Sequence, residues 1–275
     1  MTAAERIRQV EERHVGSRQV RILLVEGSSD VEAYGLLLER HRPGSDGKVA
    51  VAEAGGKREV CQILGSRPNW FGLLDHDEWT EARAQAELKK HPNLRLLPRY
   101  CLESYLINPR ELWRALPPAQ QSRIQGGEEA FESALLTDLD RYLRHGALWH
   151  TVRPLWDVLM GLDFTNALAS KYSVNAAQSD DAIKATLAGW QAALDPDKAF
   201  GAFQRNLASA QAAPLHERLA NWVHGKVYFN QHVCAALNPM LGQGKSVTWR
   251  TELFKGLPIA PDLAALFEDI LALAR

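Results

Sequence analysis

The sequence predicts an α/β fold in which helices flank a parallel sheet, followed by a mostly α-helical C-terminal region. Short apolar runs that suit buried strands alternate with helical patterns from about residue 20 to about residue 100, with short connections between them. Beyond about residue 110 the apolar spacing is helical, and strand-like alternation is scarce. We therefore expect a sheet-containing domain over residues 1–110 and a helical domain over residues 111–275.

The elements of the first domain follow in chain order. Thr2 and Glu5 form a capping-box pattern, which predicts a short helix before the first strand. The four predicted strands are "QVRILLVEG", "KVAVAEAG", "NWFGLLDHDEW" and "NLRLLP". Helices are expected between them, over the stretch that follows Gly27, after "GGKREV" and over "EARAQAELKKH". Ser28 or Ser29 is the expected cap of the first of these helices.

Two long stretches of the second domain have helical apolar spacing, "FESALLTDLDRYLRH" and "APLHERLANWVHGKVYFNQHVCAAL". The polar stretch "NAAQSDDAIKA", residues 175–185, predicts a loop. A helical domain of this kind is a reasonable place for partner docking or for self-association.

Composition and charge restrict the function class. The net charge of -1 gives no global attraction to nucleic acid, so a polyanion would need local basic patches or a bound metal. Three widely spaced cysteines without a CxxC pair indicate a reducing compartment and argue against structural zinc. The N-terminus has no signal-peptide pattern, and no apolar run approaches the roughly 20 residues of a membrane span. We expect a cytoplasmic protein.

Acidic residues follow two of the predicted strands. Glu26 comes directly after the first strand with Asp30 four residues on, and Asp75 and Asp77 end the third. The carboxyl ends of parallel strands share one edge of a sheet, where ligands usually bind. Carboxylates that converge there repel one another unless they bind cations, and hard oxygen ligands suit Mg²⁺ or Mn²⁺. Such a site can activate water and stabilise the leaving oxygen of a phosphodiester.

Each acid alone has an ordinary explanation. Asp30 suits a helix cap, Glu26 a loop, and the D-x-D pair a turn, so only their combination is specific. A haloacid-dehalogenase-like phosphatase also uses D-x-D after a strand. There the first aspartate is a nucleophile near the chain start, and Glu26 would have no role.

Four stretches, "LLVEGSSD", "GGKREV", "FGLLDHDEW" and "YCLESYLINP", resemble the Toprim domain of OLD-like nucleases. The resemblance covers about residues 20–110. The wider chain resembles the stand-alone Toprim effectors of bacterial defence operons, particularly the nuclease partner of the ABC-type ATPase in the PARIS anti-phage system.

The resemblance implies that Glu26 is the central catalytic and metal-binding acid. It implies that Asp75 and Asp77 are catalytic metal ligands, and that Asp30 matches the second acid of the first motif.

Two further matches are less specific. Glu103, in "LESYLINP", matches a metal-ligating acid before a Tyr-Leu pair, although it equally suits a helix surface. Lys226, in "HGKVYF", resembles a late catalytic lysine that would neutralise transition-state charge, although an isolated lysine is usually solvated.

Basic residues flank the predicted acidic edge. Lys57, Arg58, Arg95 and Arg99 could track a nucleic-acid backbone, or form an ordinary charged surface. His76 lies between the two aspartates, and strand alternation would turn it away from them. The stretch "GQGKSVTWR" lacks the spacing of a phosphate-binding loop, so the chain should not hydrolyse ATP alone.

The function expected from these observations is a Mg²⁺-dependent endonuclease, with Mn²⁺ as the other suitable metal. Its substrate would be RNA such as tRNA, or DNA. By resemblance it would be the effector of a bacterial anti-phage defence system, controlled by an ABC-type ATPase partner. It could also associate with itself as a homo-oligomer. The alternative is a non-catalytic Toprim scaffold whose main role is partner binding.

Overall fold

The computed structural model describes residues 3–14, 20–77, 79–164 and 178–273. The strands are β1 (Arg21–Val25), β2 (Val49–Glu53), β3 (Phe71–Leu74) and β4 (Leu94–Leu96). The helices around the sheet are α1 (Ala3–His14), α2 (Ser28–His41), α3 (Lys57–Ser66) and α4 (Glu81–Lys90). All four predicted strands are therefore confirmed.

The rest of the described chain is helical. Its α-helices are α5 (Pro109–Ala115), α6 (Pro118–Gln121), α7 (Gly127–Leu136), α8 (Leu139–Gly161), α9 (Asp180–Ala193), α10 (Pro196–Ala212), α11 (Leu215–Glu217), α12 (Gly225–Tyr228), α13 (Cys234–Leu241), α14 (Ser246–Gly256) and α15 (Pro261–Leu273). Short 3₁₀ turns occupy Ser45–Gly47 and Leu102–Tyr105, and π turns occupy Arg218–Trp222 and Phe229–Val233. No helix among these residues is long and apolar enough to cross a membrane.

The four strands form one parallel sheet in the order β2-β1-β3-β4. The chain moves from β1 outward to β2, then returns to the other side of β1 to form β3. The order therefore reverses between β1 and β3, which makes this junction the topological switch point of the sheet. Open parallel sheets bind ligands at such a point, beyond the carboxyl ends of the strands.

Each face of the sheet is covered by its own hydrophobic cluster. Ile22 and Leu24 of β1 pack with α1, α3 and α4, while Leu23 and Val25 point to the opposite face. The cluster on the face of Leu23 and Val25 continues from α2 into the helices after residue 110. Tyr228 and Phe267 are among its fully buried members. The core is thus shared across residue 110, and the division into residues 1–110 and 111–275 stays a prediction.

Two local predictions are wrong. The N-cap of α2 is Gly27, whose backbone N–H donates to Asp30 Oδ2 at 3.2 Å, instead of Ser28 or Ser29. The predicted loop at 175–185 is helical from Asp180 onward, because the Ser179 hydroxyl caps α9 by accepting a hydrogen bond from Ala182 N at 3.2 Å. Residues 175–177 of that loop, and the predicted cap at Thr2, lie outside the described residues.

The stretch "APLHERLANWVHGKVYFNQHVCAAL" is helical on both sides of a break. Val223 is extended, and a new helical segment begins at Gly225. A Cβ atom on Gly225 would lie 2.7 Å from both Cys101 Sγ and Ser104 Oγ, so only glycine allows this close approach. The break matters because it places the next residue, Lys226, beside the carboxyl edge of the sheet.

Candidate functional site

Three acids meet at the switch point. Glu26 directly follows β1, and Asp75 and Asp77 follow the adjacent β3. One carboxylate oxygen of each residue lies within 4.8 Å of the others. The backbone N–H of Asp75 donates to Glu26 Oε1 at 3.3 Å, which links the two strand ends directly. The predicted convergence of these acids is confirmed.

Burial makes this cluster of negative charge unfavourable without compensation. Asp75 and Asp77 are 7% and 6% exposed. Burial raises the pKa of Asp75 to about 7 even though Lys226 opposes the shift, and it also raises the pKa of Glu26 against the effect of Lys57. Burial acts in the same direction on Asp77, but Lys57 and Lys226 together lower its pKa below the usual value.

Lys57, at the start of α3, lies between the acids. Its Nζ is 2.7 Å from Asp77 Oδ1 and 3.3 Å from Glu26 Oε1, and it donates a hydrogen bond to the Asp75 carbonyl oxygen. Burial would lower the pKa of this ammonium, but Asp77 and Glu26 raise it. The sequence predicted Lys57 as a nucleic-acid contact, and the structure makes it a buried counter-ion of the acids.

Lys226 faces the acids from the helical part of the chain. Its Nζ lies 2.9 Å from Asp75 Oδ2 and 3.1 Å from Asp77 Oδ2. The Lys226 side chain is 39% exposed, so part of it is accessible from solvent. The structure therefore places Lys226 with the acids, as expected from the resemblance.

Asp30 and Glu103 share a different cation. Arg250 of α14 lies 3.0 Å from Asp30 Oδ1 and 3.0 Å from Glu103 Oε1. Glu103 is also close to Asp75, since one oxygen of each and Cys101 Sγ lie within 4.8 Å of one another. Asp30 in addition caps α2 through Gly27, so the helix-cap explanation of this residue holds. Whether Asp30 and Glu103 bind metal stays a prediction.

The acids outnumber the cations that pair with them. The acids are Glu26, Asp30, Asp75, Asp77 and Glu103, and the cations are Lys57, Lys226 and Arg250. When all of these groups are ionised, five negative charges face three positive charges, so the set carries two uncompensated negative charges. One buried oxygen of this set, Glu103 Oε2, also makes no hydrogen bond to the described residues. This oxygen-rich, negatively charged set fits a divalent cation such as Mg²⁺.

The loop that carries the aspartates is held by α8 and by Tyr100. The Asp77 carbonyl oxygen accepts hydrogen bonds from Trp149 Nε1 at 2.8 Å and from Tyr100 Oη at 2.9 Å. Arg153 donates to the Trp79 carbonyl oxygen at 2.8 Å, and its own orientation is fixed by His150. The contacts of Trp149 and Arg153 with the loop could not be predicted from the sequence, because they join residues more than 70 positions apart.

The remaining predicted residues lie away from the acids. Arg58 is exposed on α3. Arg95 pairs with Asp269, and Arg99 pairs with Glu111 at 2.8 Å and with Asp262 at 3.1 Å. Their contact with nucleic acid stays a prediction, and two of these arginines already have carboxylate partners. His76 lines a separate hollow with Tyr100, His150 and Arg153.

No protein-family model matches the chain, and no curated protein matches it. The function is therefore proposed from the residues of the site and from the motif resemblance described above.

Proposed function

We propose that the protein is a metal-dependent phosphodiesterase with a Toprim-type catalytic domain, and that it cleaves nucleic acid. The observation that carries the proposal is the meeting of Glu26, Asp75 and Asp77 with Lys57 and Lys226 at the switch point of a parallel sheet. Metal-dependent hydrolysis of a phosphodiester uses two kinds of group at one place, hard oxygen ligands for a divalent cation and positive charge for the phosphate.

Each side chain has a role in this proposal. Glu26, Asp75 and Asp77 hold the cation, and β1 and β3 fix their positions. Mg²⁺, when bound, would supply a Lewis acid and lower the pKa of a water molecule. Lys226, whose side chain is 39% exposed, would donate to a phosphate oxygen that carries developing charge. Lys57 is buried and holds Glu26 and Asp77 in place.

The substrate class follows from this chemistry and from the resemblance. We propose RNA such as tRNA, or DNA, as the polymer that is cut. The net charge of -1 supports a local mode of binding, in which the cation and Lys226 hold the scissile phosphate and the rest of the surface contributes little attraction.

The test is cleavage of end-labelled tRNA, single-stranded RNA and duplex DNA by the purified protein with Mg²⁺. We expect Glu26→Gln and Asp77→Asn to lower the cleavage rate by at least about 100-fold, the usual cost of removing one preorganised charged group. Glu53→Gln is the matched control, since Glu53 also ends a strand but pairs with Arg6. Cleavage by Glu26→Gln at the wild-type rate would overturn the proposal. Hydrolysis of small phosphomonoesters alone would favour the phosphatase alternative.

We also propose that the helical part of the chain docks an ABC-type ATPase. Several large apolar side chains of α8, α9 and α10 are exposed, among them Leu148, Trp156, Leu187 and Phe200. Large apolar side chains exposed on neighbouring helices are a feature of protein–protein contact surfaces. The same surface supports the alternative of a scaffold whose main role is partner binding.

The docking proposal is tested by co-expression with any ABC-type ATPase that is encoded beside the gene. We expect the two proteins to co-purify, and Phe200→Asp to weaken the association while leaving metal-dependent cleavage unchanged. Glu217→Lys on an exposed turn of the same region is the control. Equal co-purification of Phe200→Asp and the wild type would show that this surface is not the contact.

A further inference from the structure

A second group of ligand-type side chains lies on the sheet face covered by α3 and α4. Cys61 of α3, Glu87 of α4 and His91, the residue that ends α4, each place one ligand atom within 4.8 Å of the other two. Glu87 and His91 are one helical turn apart, so both project toward Cys61 from the same side of their helix. This group shares no residue with the acids at the switch point.

The His91 ring is buried and has a nitrogen without a partner. His91 is 7% exposed, and its Nε2 makes no hydrogen bond to the described residues. The buried Glu87 Oε2 also accepts no hydrogen bond and lies 3.6 Å from this nitrogen. Unsatisfied buried polar atoms are costly, and two of them facing each other indicate a missing ligand.

The spacing of these atoms suits a small cation. Two ligands at about 2.1 Å from a zinc ion, at a tetrahedral angle, lie about 3.4 Å apart. The observed 3.6 Å between His91 Nε2 and Glu87 Oε2 is close to this value. Cys61 Sγ belongs to the same group, since it lies within 4.8 Å of one ring nitrogen of His91 and of one carboxylate oxygen of Glu87.

The protonation states are compatible with metal binding. Burial and the nearby Lys90 lower the pKa of His91, so its imidazole is neutral and has a lone pair available. Burial and the neighbouring Glu87 raise the pKa of Cys61 to about 11, so the thiol keeps its proton while no cation is bound. Binding of a cation would therefore release one proton from Cys61.

We propose that Cys61, Glu87 and His91 form a zinc-type metal site that links α3 to α4. A sulfur, nitrogen and oxygen ligand set favours Zn²⁺ over Mg²⁺, and three protein ligands leave the fourth position for water. The absence of a CxxC pair argues against a zinc motif in the sequence, but these ligands come from two helices that the fold brings together. Lys57 begins α3, and α4 follows the loop of Asp75 and Asp77, so the ion would brace both helices next to the acids.

The experiment uses the full chain, reduced and stripped of metal with a chelator. Co²⁺ is titrated as the probe, because a cobalt–thiolate bond gives a charge-transfer absorption that oxygen ligands alone do not give. We expect one equivalent of Co²⁺ to produce this band and Zn²⁺ to abolish it. Cys61→Ser should lack the band, and Glu87→Gln and His91→Gln should weaken Zn²⁺ binding by more than about 10-fold.

Three variants serve as controls. Cys101→Ser removes the thiol near Asp75 and Glu103, Cys234→Ala removes the third thiol, and Glu26→Gln alters the acids at the switch point. All three should keep the band. Circular dichroism verifies that each variant is folded, and Zn²⁺ should raise the melting temperature of the wild type but not that of His91→Gln. The proposal is overturned if the reduced wild type binds no Co²⁺ or Zn²⁺, or if Cys61→Ser keeps the band.

Discussion

Lys57 is the residue on which the acids at the switch point depend most. It is almost fully buried and pairs with Glu26 and Asp77 at the same time. Taking a charge out of water is unfavourable unless partners compensate it, and here each side compensates the other. Removal of the ammonium leaves Glu26 without its lysine partner and Asp77 with Lys226 alone, whereas loss of an exposed cation leaves no buried charge uncompensated.

We expect Lys57→Met to lower the free energy of unfolding by about 3 kcal/mol in the presence of a chelator. Saturating Mg²⁺ should restore part of this loss, because a bound cation would replace the missing charge. The neighbouring exposed Arg58 provides the control, and Arg58→Met should change stability by less than about 0.5 kcal/mol. Urea unfolding measures both. Equal effects of the two substitutions would contradict the role assigned to Lys57.

His150 makes stability depend on pH. Burial lowers its pKa to about 4, and the adjacent Arg153, which donates to His150 Nδ1, acts in the same direction. The Asn221 carbonyl oxygen, which accepts a hydrogen bond from the ring at 2.9 Å, only partly opposes this shift. A folded-state pKa below the unfolded value of about 6.5 means that the unfolded chain binds the proton more readily. The stability that neutral His150 contributes is complete above about pH 6.5 and is lost as the pH falls through about 4.

The free energy of unfolding of the wild type should therefore fall more steeply from pH 7 to pH 5 than that of His150→Gln. The difference in slope is at most about 1.4 kcal/mol per pH unit, and partial exposure of the ring reduces it. His216→Gln, at an exposed histidine, should keep the wild-type slope. Denaturant titrations at several pH values provide the measurement, and parallel curves for wild type and His150→Gln would rule out this effect.

At the scale of elements, α8 connects the helical part of the chain to the loop of Asp75 and Asp77. Trp149 and Arg153 of this helix hold the loop from one side. One turn earlier, Gly146 packs directly against the backbone of Trp222. The position of α8 is thus fixed by a close backbone contact, and any shift of the helix would move the groups that hold the loop.

A matched pair of glycines tests this packing. A Cβ atom on Gly146 would lie 1.7 Å from the Trp222 carbonyl oxygen, whereas one on Gly161 of the same helix would meet nothing within 4 Å. We expect Gly146→Ala to destabilise the protein by about 1–3 kcal/mol. Gly161→Ala should be neutral or stabilise it by up to about 1 kcal/mol, as alanine generally does in a helix. A smaller loss for Gly146→Ala than for Gly161→Ala would contradict the contact.

Much of the sheet and part of the site could be predicted from local patterns. Continuous apolar runs identify the four strands, and the rule that parallel strands share a carboxyl edge brings Glu26 to Asp75 and Asp77. The buried position of Lys57 could not be predicted, because any loop lysine looks solvated in sequence. The pairing of Arg250 with Asp30 joins residues 220 positions apart and depends on how α14 packs against α2. The break at Val223 is also set by tertiary contact, here between Gly225 and Ser104.

At the scale of the molecule, one sheet separates two hydrophobic clusters. Its switch point is in contact with residues from the helices around the sheet and from the C-terminal helices. Lys57 reaches the acids from α3, and Lys226 reaches them from the helical part beyond residue 110. The site is therefore complete only when both parts of the chain are packed together. We expect any partner that displaces the C-terminal helices to remove Lys226 from the acids and to alter cation binding.

The most direct measurement is the anomalous diffraction of crystals soaked in Mn²⁺. The account predicts a peak within bonding distance of carboxylate oxygens of Glu26, Asp75 and Asp77, and its loss in Glu26→Gln crystals. The contradicting result would be no peak at this edge of the sheet at saturating Mn²⁺, with Lys57 and Lys226 still paired with the acids. That result would disprove the central claim that Glu26, Asp75 and Asp77 form a divalent-cation site.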